Sequence, residues 1–241
     1  MTDKLKQIGN SFMFVSPGAG HRILDAFGDV KKYIPSAGEP TDDTTGEPTS
    51  WVNTETGTNT WVNSATAGED FLITTGGTEY NGYSAQLKGE QFKVKAGCPF
   101  SISADIKLSN ATQTDFLFGL AETDTTLTAA DTAHALGVGG DGLFFFKLDG
   151  STTCTAYVYD GGASVGSAAL PDALDTAYHT YDIASEDGKT VQFYFDGAKV
   201  ASFENAVMPD GDLTLSFSYR AGDGNARTAN IKNLKAIQVF I

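Results

Sequence analysis

The stretch from Tyr178 to Ile241 constrains the fold more than any other part of the chain, because its side chains alternate with period two. In Asp212 to Arg220, Leu213, Leu215, Phe217 and Tyr219 share one face, while Thr214, Ser216, Ser218 and Arg220 share the other. Val191, Phe193 and Phe195 line one side of Thr190 to Asp196 in the same way. Between that strand and a returning one at Lys199 to Phe203, Asp196-Gly197 supplies the positive φ angles of a tight hairpin turn. Ile237, Val239 and Ile241 mark a closing strand. Half-buried strands of this kind need a second layer over their apolar faces. The pattern therefore predicts an all-β fold of two packed antiparallel sheets.

The same signals continue upstream. Phe100, Ile102, Ala104, Ile106 and Leu108 alternate with Ser101, Ser103, Asp105 and Lys107, and His179, Tyr181 and Ile183 follow the same rule. Asp149-Gly150, Asp160-Gly161-Gly162 and Asp187-Gly188 add hairpin turns. From Trp51 onward turns recur about every eight to twelve residues, the spacing of a sandwich. Further strands are predicted at Phe71 to Thr75, Gly82 to Leu87, Gln91 to Val94, Thr114 to Ala121, Gly142 to Leu148 and Thr152 to Tyr159. Helix is nearly absent, with one turn near Thr128 to Ala133 that Thr128 can cap.

Residues 1–48 stand apart. They hold one strand-like run, Ser11 to Val15, a short helical piece around Asp25 to Tyr33, and a Pro, Gly, Asp and Thr-rich stretch from Pro35 to Ser50. The expected division is an N-terminal arm and linker, 1–48, and a sandwich, 49–241. Phe12, Met13, Phe14 and Val15 form an apolar run with no obvious partner strand, and Ile23, Leu24, Phe27 and Tyr33 extend the apolar supply. These eight residues are the candidate contacts to a partner or neighbouring copy.

Charge excludes some functions. With 16 Lys and Arg against 30 Asp and Glu, the net charge of -14 argues against a nucleic-acid surface, which needs clustered cations. No apolar run approaches the roughly 18 residues of a membrane span, so no membrane partner is expected, and a secreted origin is not indicated. Cys98 and Cys154 are read as free thiols; a disulfide between them would require an oxidising compartment.

The order Tyr178-His179-Thr180-Tyr181-Asp182-Ile183, a turn at Gly188, Val191 to Phe195 with Asp196-Gly197, then Val200, Pro209 and the closing strand resembles the concanavalin A-like or laminin G-like jelly roll. Lectins, glycan hydrolases, adhesion modules and viral structural proteins share that fold, so it does not name a function. A narrower resemblance lies in Gln86 to Val94 and Ala111 to Leu127, which are similar to segments of tailed-bacteriophage virion proteins taken to be capsid decoration, or cement, proteins. This resemblance implies a non-enzymatic structural protein on the outer capsid surface of the virion, made in the host cytoplasm. Its implied partners are the major capsid protein and itself, as a homodimer or homotrimer. The alternative is a glycan-binding, lectin-like module of a phage fibre or surface adhesin.

Hydrolases on the jelly roll carry Glu-x-Asp-x-(x)-Glu on one strand, which aims alternate carboxylates into the cleft. Here the nearest string is Glu122-Thr123-Asp124-Thr125-Thr126-Leu127, with the third carboxylate missing. The two acids are read as solvated groups at a strand end, and no catalytic residue is assigned. His21, His134 and His179 lack neighbours at metal-ligand spacing. The acidic turns Asp141-Gly142, Asp149-Gly150, Asp160-Gly161 and Asp210-Gly211-Asp212 have oxygens suited to calcium, but Asp-Gly is also the commonest turn chemistry, so no metal or other cofactor is assigned. Trp51-Val52-Asn53 and Trp61-Val62-Asn63 offer Trp51 and Trp61 as a candidate aromatic surface for sugar rings or a neighbouring subunit. The plainer alternative is two strands that each bury a Trp.

Overall fold

The period-two runs become strands in the computed structural model. It describes the backbone of residues 4–8, 11–15, 21–24 and 30–33 and, with side chains, residues 33, 48, 50–128, 135–204 and 208–239. In chain order the strands are β1 (Lys4–Ile8), β2 (Ser11–Val15), β3 (His21–Leu24), β4 (Val30–Tyr33), β5 (Trp51–Thr56), β6 (Thr60–Asn63), β7 (Phe71–Thr74), β8 (Gly82–Leu87), β9 (Phe92–Lys93) and β10 (Phe100–Leu108). Then come β11 (Thr114–Ala121), β12 (Gly142–Lys147), β13 (Cys154–Asp160), β14 (Ala163–Ala169), β15 (Tyr178–Ser185), β16 (Thr190–Phe195), β17 (Ala198–Glu204), β18 (Asp212–Ala221) and β19 (Thr228–Val239). Among the described residues there is no helix, and hence none long and apolar enough to cross a membrane.

Two antiparallel sheets form the sandwich. One has the order β17-β16-β15-β10-β19-β7-β6, with β4 also bonded to β19. The other has the order β14-β13-β12-β11-β18-β8-β5, with β9 also bonded to β18. Long-range pairing sets this order: β18 lies between β11 and β8, more than ninety residues upstream, with Phe217 opposite both Phe118 and Ala85. The Asp196-Gly197 hairpin closes as the sequence requires, with φ of 47° and 80° at its two residues and Phe195 opposite Ala198.

The inner faces make one core. Phe100, Ile102, Ala104, Ile106 and Leu108 are all buried there, as are Leu213, Leu215, Phe217 and Tyr219. Aromatic rings meet across the two layers: Phe116 and Tyr181 lie 5.3 Å apart, and Phe145 meets Phe193 edge-on at 5.3 Å. Each such side chain contributes about 1.5–3 kcal/mol by leaving water. Cys98 and Cys154 are separate free thiols, both buried, and burial pushes the Cys154 thiol up to about 12.

Three expectations are corrected. Val30–Tyr33 is a strand, not a helical piece, and its register on β19, Tyr33 opposite Ala236, carries the sandwich sheet upstream of the expected boundary at residue 48. Phe12, Met13, Phe14 and Val15 have partner strands, since β2 runs between β1 and β3 in a three-stranded sheet, with Phe12 opposite Leu24 and Met13 opposite Ile23. Thr128 forms an isolated bridge with Leu136, and the turn it is expected to cap, Thr128 to Ala133, lies outside the described residues beyond Thr128 itself. Lastly, β18 is not half-buried: Thr214, Ser216, Ser218 and Arg220 are buried as completely as the apolar set. Phe27, His134 and the stretches 34–47 and 129–134 lie outside the described residues.

Candidate functional site

The second burial of β18 locates the site. Register places Ser218 beside Leu117 of β11 and Ser84 of β8, and Leu117 beside Phe146 of β12, all on the outer face of the second sheet. A sheet face turned to water would leave these residues exposed. Here the connection after β11 folds back over them. Its first limb, residues 122–128, crosses β8 and β18; its second, 135–141, returns to β12. Gln86 anchors the root of the first limb twice, accepting from Asp124 N–H at 2.7 Å and donating to the Glu122 carbonyl at 2.8 Å. Farther on, Thr128 Oγ1 meets Ser218 Oγ at 3.0 Å. Leu127 and Val138 pack on Leu117, Ala121, Phe144 and Phe146, a small apolar cluster separate from the main core.

Between the first limb and β5 a cleft of about 240 Å³ remains. Thr54, Glu55 and Thr56 form one wall, and Thr125, Thr126 and Thr128 form the other. Gly82, Ser84 and Arg220 lie between them. The Arg220 guanidinium is positioned by its Nε, which donates to the Tyr80 carbonyl at 3.0 Å, and by the Tyr80 ring 5.6 Å away. Asn59 holds the Glu55 carboxylate through its N–H at 2.6 Å and its side-chain amide at 3.2 Å. A Cβ at Gly82 would fall 2.1 Å from the Tyr219 carbonyl, so the closeness of β8 to β18 beneath the cleft requires glycine.

At one end of the same sheet, three of the four acidic turns converge. Carboxylate oxygens of Asp141, Asp160 and Asp210 lie within 4.8 Å of one another, close enough to share a cation. Asp141 is buried, and its two oxygens already accept from Gly161 N–H at 2.8 Å and Gly211 N–H at 2.7 Å. Asp149 lies past the far end of β12, where its N–H donates to Asp115. Glu122 and Asp124 follow the end of β11, as expected, but are not merely solvated. Glu122 accepts from Asp141 N–H at 3.2 Å, and Asp124 accepts from Thr126 N–H at 2.8 Å and Gly139 N–H at 2.9 Å. Their role in this geometry is to shape the connection.

The candidate aromatic surface is corrected outright. Trp51 and Trp61 are core residues: their rings lie 5.1 Å apart, and Trp61 is enclosed edge-on by Phe71, Tyr83 and Phe217. Their strands alternate in step with β8 and β7, which turns both indoles inward. Tyr33, a candidate partner contact, accepts from Trp51 Nε1 at 2.9 Å and packs on that ring, so its hydroxyl is engaged within the sandwich. His179 stacks on Phe195 at 4.9 Å between Asp196 (2.7 Å) and Asp175 (3.0 Å), a polar tie between a loop and a hairpin. Sequence reasoning missed the cleft itself, since Thr54, Ser84 and Arg220 read as the solvent side of ordinary strands.

Architecture and strand order define a concanavalin A-like jelly roll. The chain is similar to the carbohydrate recognition domain of Emp47p, with a TM-score of 0.57 and 16% identity over 83% of this chain and 92% of that one. It is also similar to an endo-1,3-beta-glucanase from Streptomyces sioyaensis, with a TM-score of 0.59 and 11% identity over 94% and 100%. A protein of unknown function, SO2946 from Shewanella oneidensis MR-1, matches with a TM-score of 0.52 and 13% identity over 98% and 90%. At such identities the likeness is one of fold, and the fold hosts both binding domains and a hydrolase. No family model matches the chain, and comparison with characterised protein sequences finds no match.

Proposed function

We propose that this chain is a non-catalytic carbohydrate-binding jelly roll that receives a sugar in the cleft between β5 and the 122–128 limb. The lining carries this reading: Thr54 and Thr56 on one wall, Thr125, Thr126 and Thr128 on the other, and Ser84 and Arg220 between them make a lining rich in hydroxyl-bearing residues around one guanidinium, in about 240 Å³. A hydroxyl both donates and accepts, so such a lining is complementary to a polyol and would be left unsatisfied by an apolar ligand. The names of similar folds support the class, since Emp47p and Emp46p are represented by carbohydrate recognition domains. Hydrolysis with retention needs two carboxylates flanking the bond, and among the lining residues Glu55 alone carries one.

A glycan array with and without chelator tests the reading, alongside reducing-sugar release from laminarin and agarose. Saturable binding without sugar release is expected. The chelator arm reports whether Asp141, Asp160 and Asp210 contribute a cation. Absence of saturable binding to every glycan overturns the proposal, and sugar release overturns its non-catalytic part.

A second reading, a capsid decoration protein that bridges major capsid protein subunits as a homodimer or homotrimer, is supported by the phage-like segments Gln86 to Val94 and Ala111 to Leu127. These build the end of β8, β9, β11 and the first limb. Mass spectrometry of purified particles, with copy number set against the major capsid protein, tests it; absence from particles ends it. Light scattering that returns a 25.4 kDa monomer at high concentration counts against a preformed oligomer.

A further inference from the structure

Resting on the carbohydrate reading, we infer that the cleft recognises the end of a glycan, a terminal sugar residue, and does not grip the interior of a polymer. A sheet that holds a polymer along its length must leave its face open from one edge strand to the other. From the cleft the open part stops at β18, and the face is half-exposed again only at Thr155, Tyr157 and Tyr159 of β13, on the other side of the covering connection. The cleft's described lining comes from β5, β8, Arg220 of β18 and the first limb, with nothing from β11 to β14.

Beyond it, Ser218, Leu117 and Phe144 have no exposure at all. The 3.0 Å contact between Thr128 and Ser218 leaves no passage between limb and sheet. Leu127 and Val138 occupy the ground a chain would need to continue toward β13. A second side is closed as well, because Gln86 binds Asp124 N–H at 2.7 Å and the Glu122 carbonyl at 2.8 Å, sealing the root of the limb onto β8. A cleft blind on two sides, of about 240 Å³, has room for one sugar ring and leaves the rest of a chain in solvent.

The test is calorimetric titration of the full chain with linear oligosaccharides of one to six residues in four series: glucose, mannose, galactose and glucuronate. In the series that binds, affinity should be complete by the disaccharide and change less than about three-fold up to the hexasaccharide. Thr126→Tyr, at an exposed wall position, should weaken binding at least about ten-fold while the melting temperature is unchanged. A gain of about ten-fold or more between trisaccharide and hexasaccharide overturns terminal recognition and leaves the carbohydrate reading standing. Full affinity in Thr126→Tyr overturns the placement in this cleft. No binding in any series overturns both.

Discussion

Replacing Lys147 by methionine tests whether a buried ammonium holds the sandwich end opposite the acidic turns. Lys147 is 1% exposed at the end of β12, and its Nζ donates to the carbonyls of Leu148 at 2.8 Å and Ser151 at 2.9 Å, with Thr114 closer still. The Thr112 carbonyl, at 3.4 Å, already accepts from Gly150 N–H, so it has least to lose. Methionine matches the length but donates nothing. Taking the donor from three acceptors, one buried and two part-buried, costs about 1–3 kcal/mol each, toward the lower end for the part-buried two. Against this, burial pushes the Lys147 amine from 10.5 down to about 8, although Asp115 and Asp149 hold it up, so the charge sits there at a cost. Removing that charge returns about 3 kcal/mol. The net expectation is a loss of about 3 kcal/mol, or about 6–12 °C in melting temperature for a domain of this size.

Urea and thermal unfolding of wild type and Lys147→Met measure the loss directly. The wild type also carries a pH signature. Between about pH 8 and 10.5 the folded chain has released the Lys147 proton while the unfolded chain keeps it, so this group makes stability rise with pH across that window. In Lys147→Met that contribution to the rise should vanish. A variant as stable as wild type, or more so, would refute the reasoning: it would mean that the buried ammonium costs as much as its carbonyl contacts return.

Trp61→Ala should lose about 3–5 kcal/mol, because the indole fills space among Trp51, Phe71, Tyr83 and Phe217; a loss under 1 kcal/mol in urea unfolding would contradict its place in the core. Asp141→Asn turns one of two acceptors into a donor facing Gly161 or Gly211 N–H, so a fall of about 1–3 kcal/mol is expected, read by the same assay. Chains truncated by residues 2–24 and 2–35 should differ in melting temperature, the longer truncation being less stable, since it alone removes β4 and the Tyr33 hydroxyl that accepts from Trp51. Equal melting temperatures would show that β4 adds nothing to the sandwich.

Local chemistry made much of the fold legible. A strand's period and a turn's φ are properties of neighbouring residues, so Phe100–Leu108, Thr114–Ala121 and the Asp196-Gly197 hairpin stand where alternation and turn residues put them. β14 escaped notice because Ala163–Ala169 is built from small side chains with no apolar period, and it is a strand only because β13 offers a ladder. Val30–Tyr33 is likewise drawn into a strand by β19, some two hundred residues later.

The site was the least legible part. Alternation shows that Thr214, Ser216, Ser218 and Arg220 share a face, but not whether that face meets water. The burial of Ser218 follows from the connection after β11 folding back over the sheet, and that of Arg220 from Tyr80, contacts between segments with no shared local signal. The meeting of Asp141, Asp160 and Asp210 and the inward turn of both tryptophans have the same origin. The sequence by itself determined which residues extend, where they turn and which of them alternate, because those preferences act through adjacent peptide units. Which faces are covered, and hence where a cleft is left open, only the tertiary structure decided, because burial depends on partners brought together from distant parts of the chain.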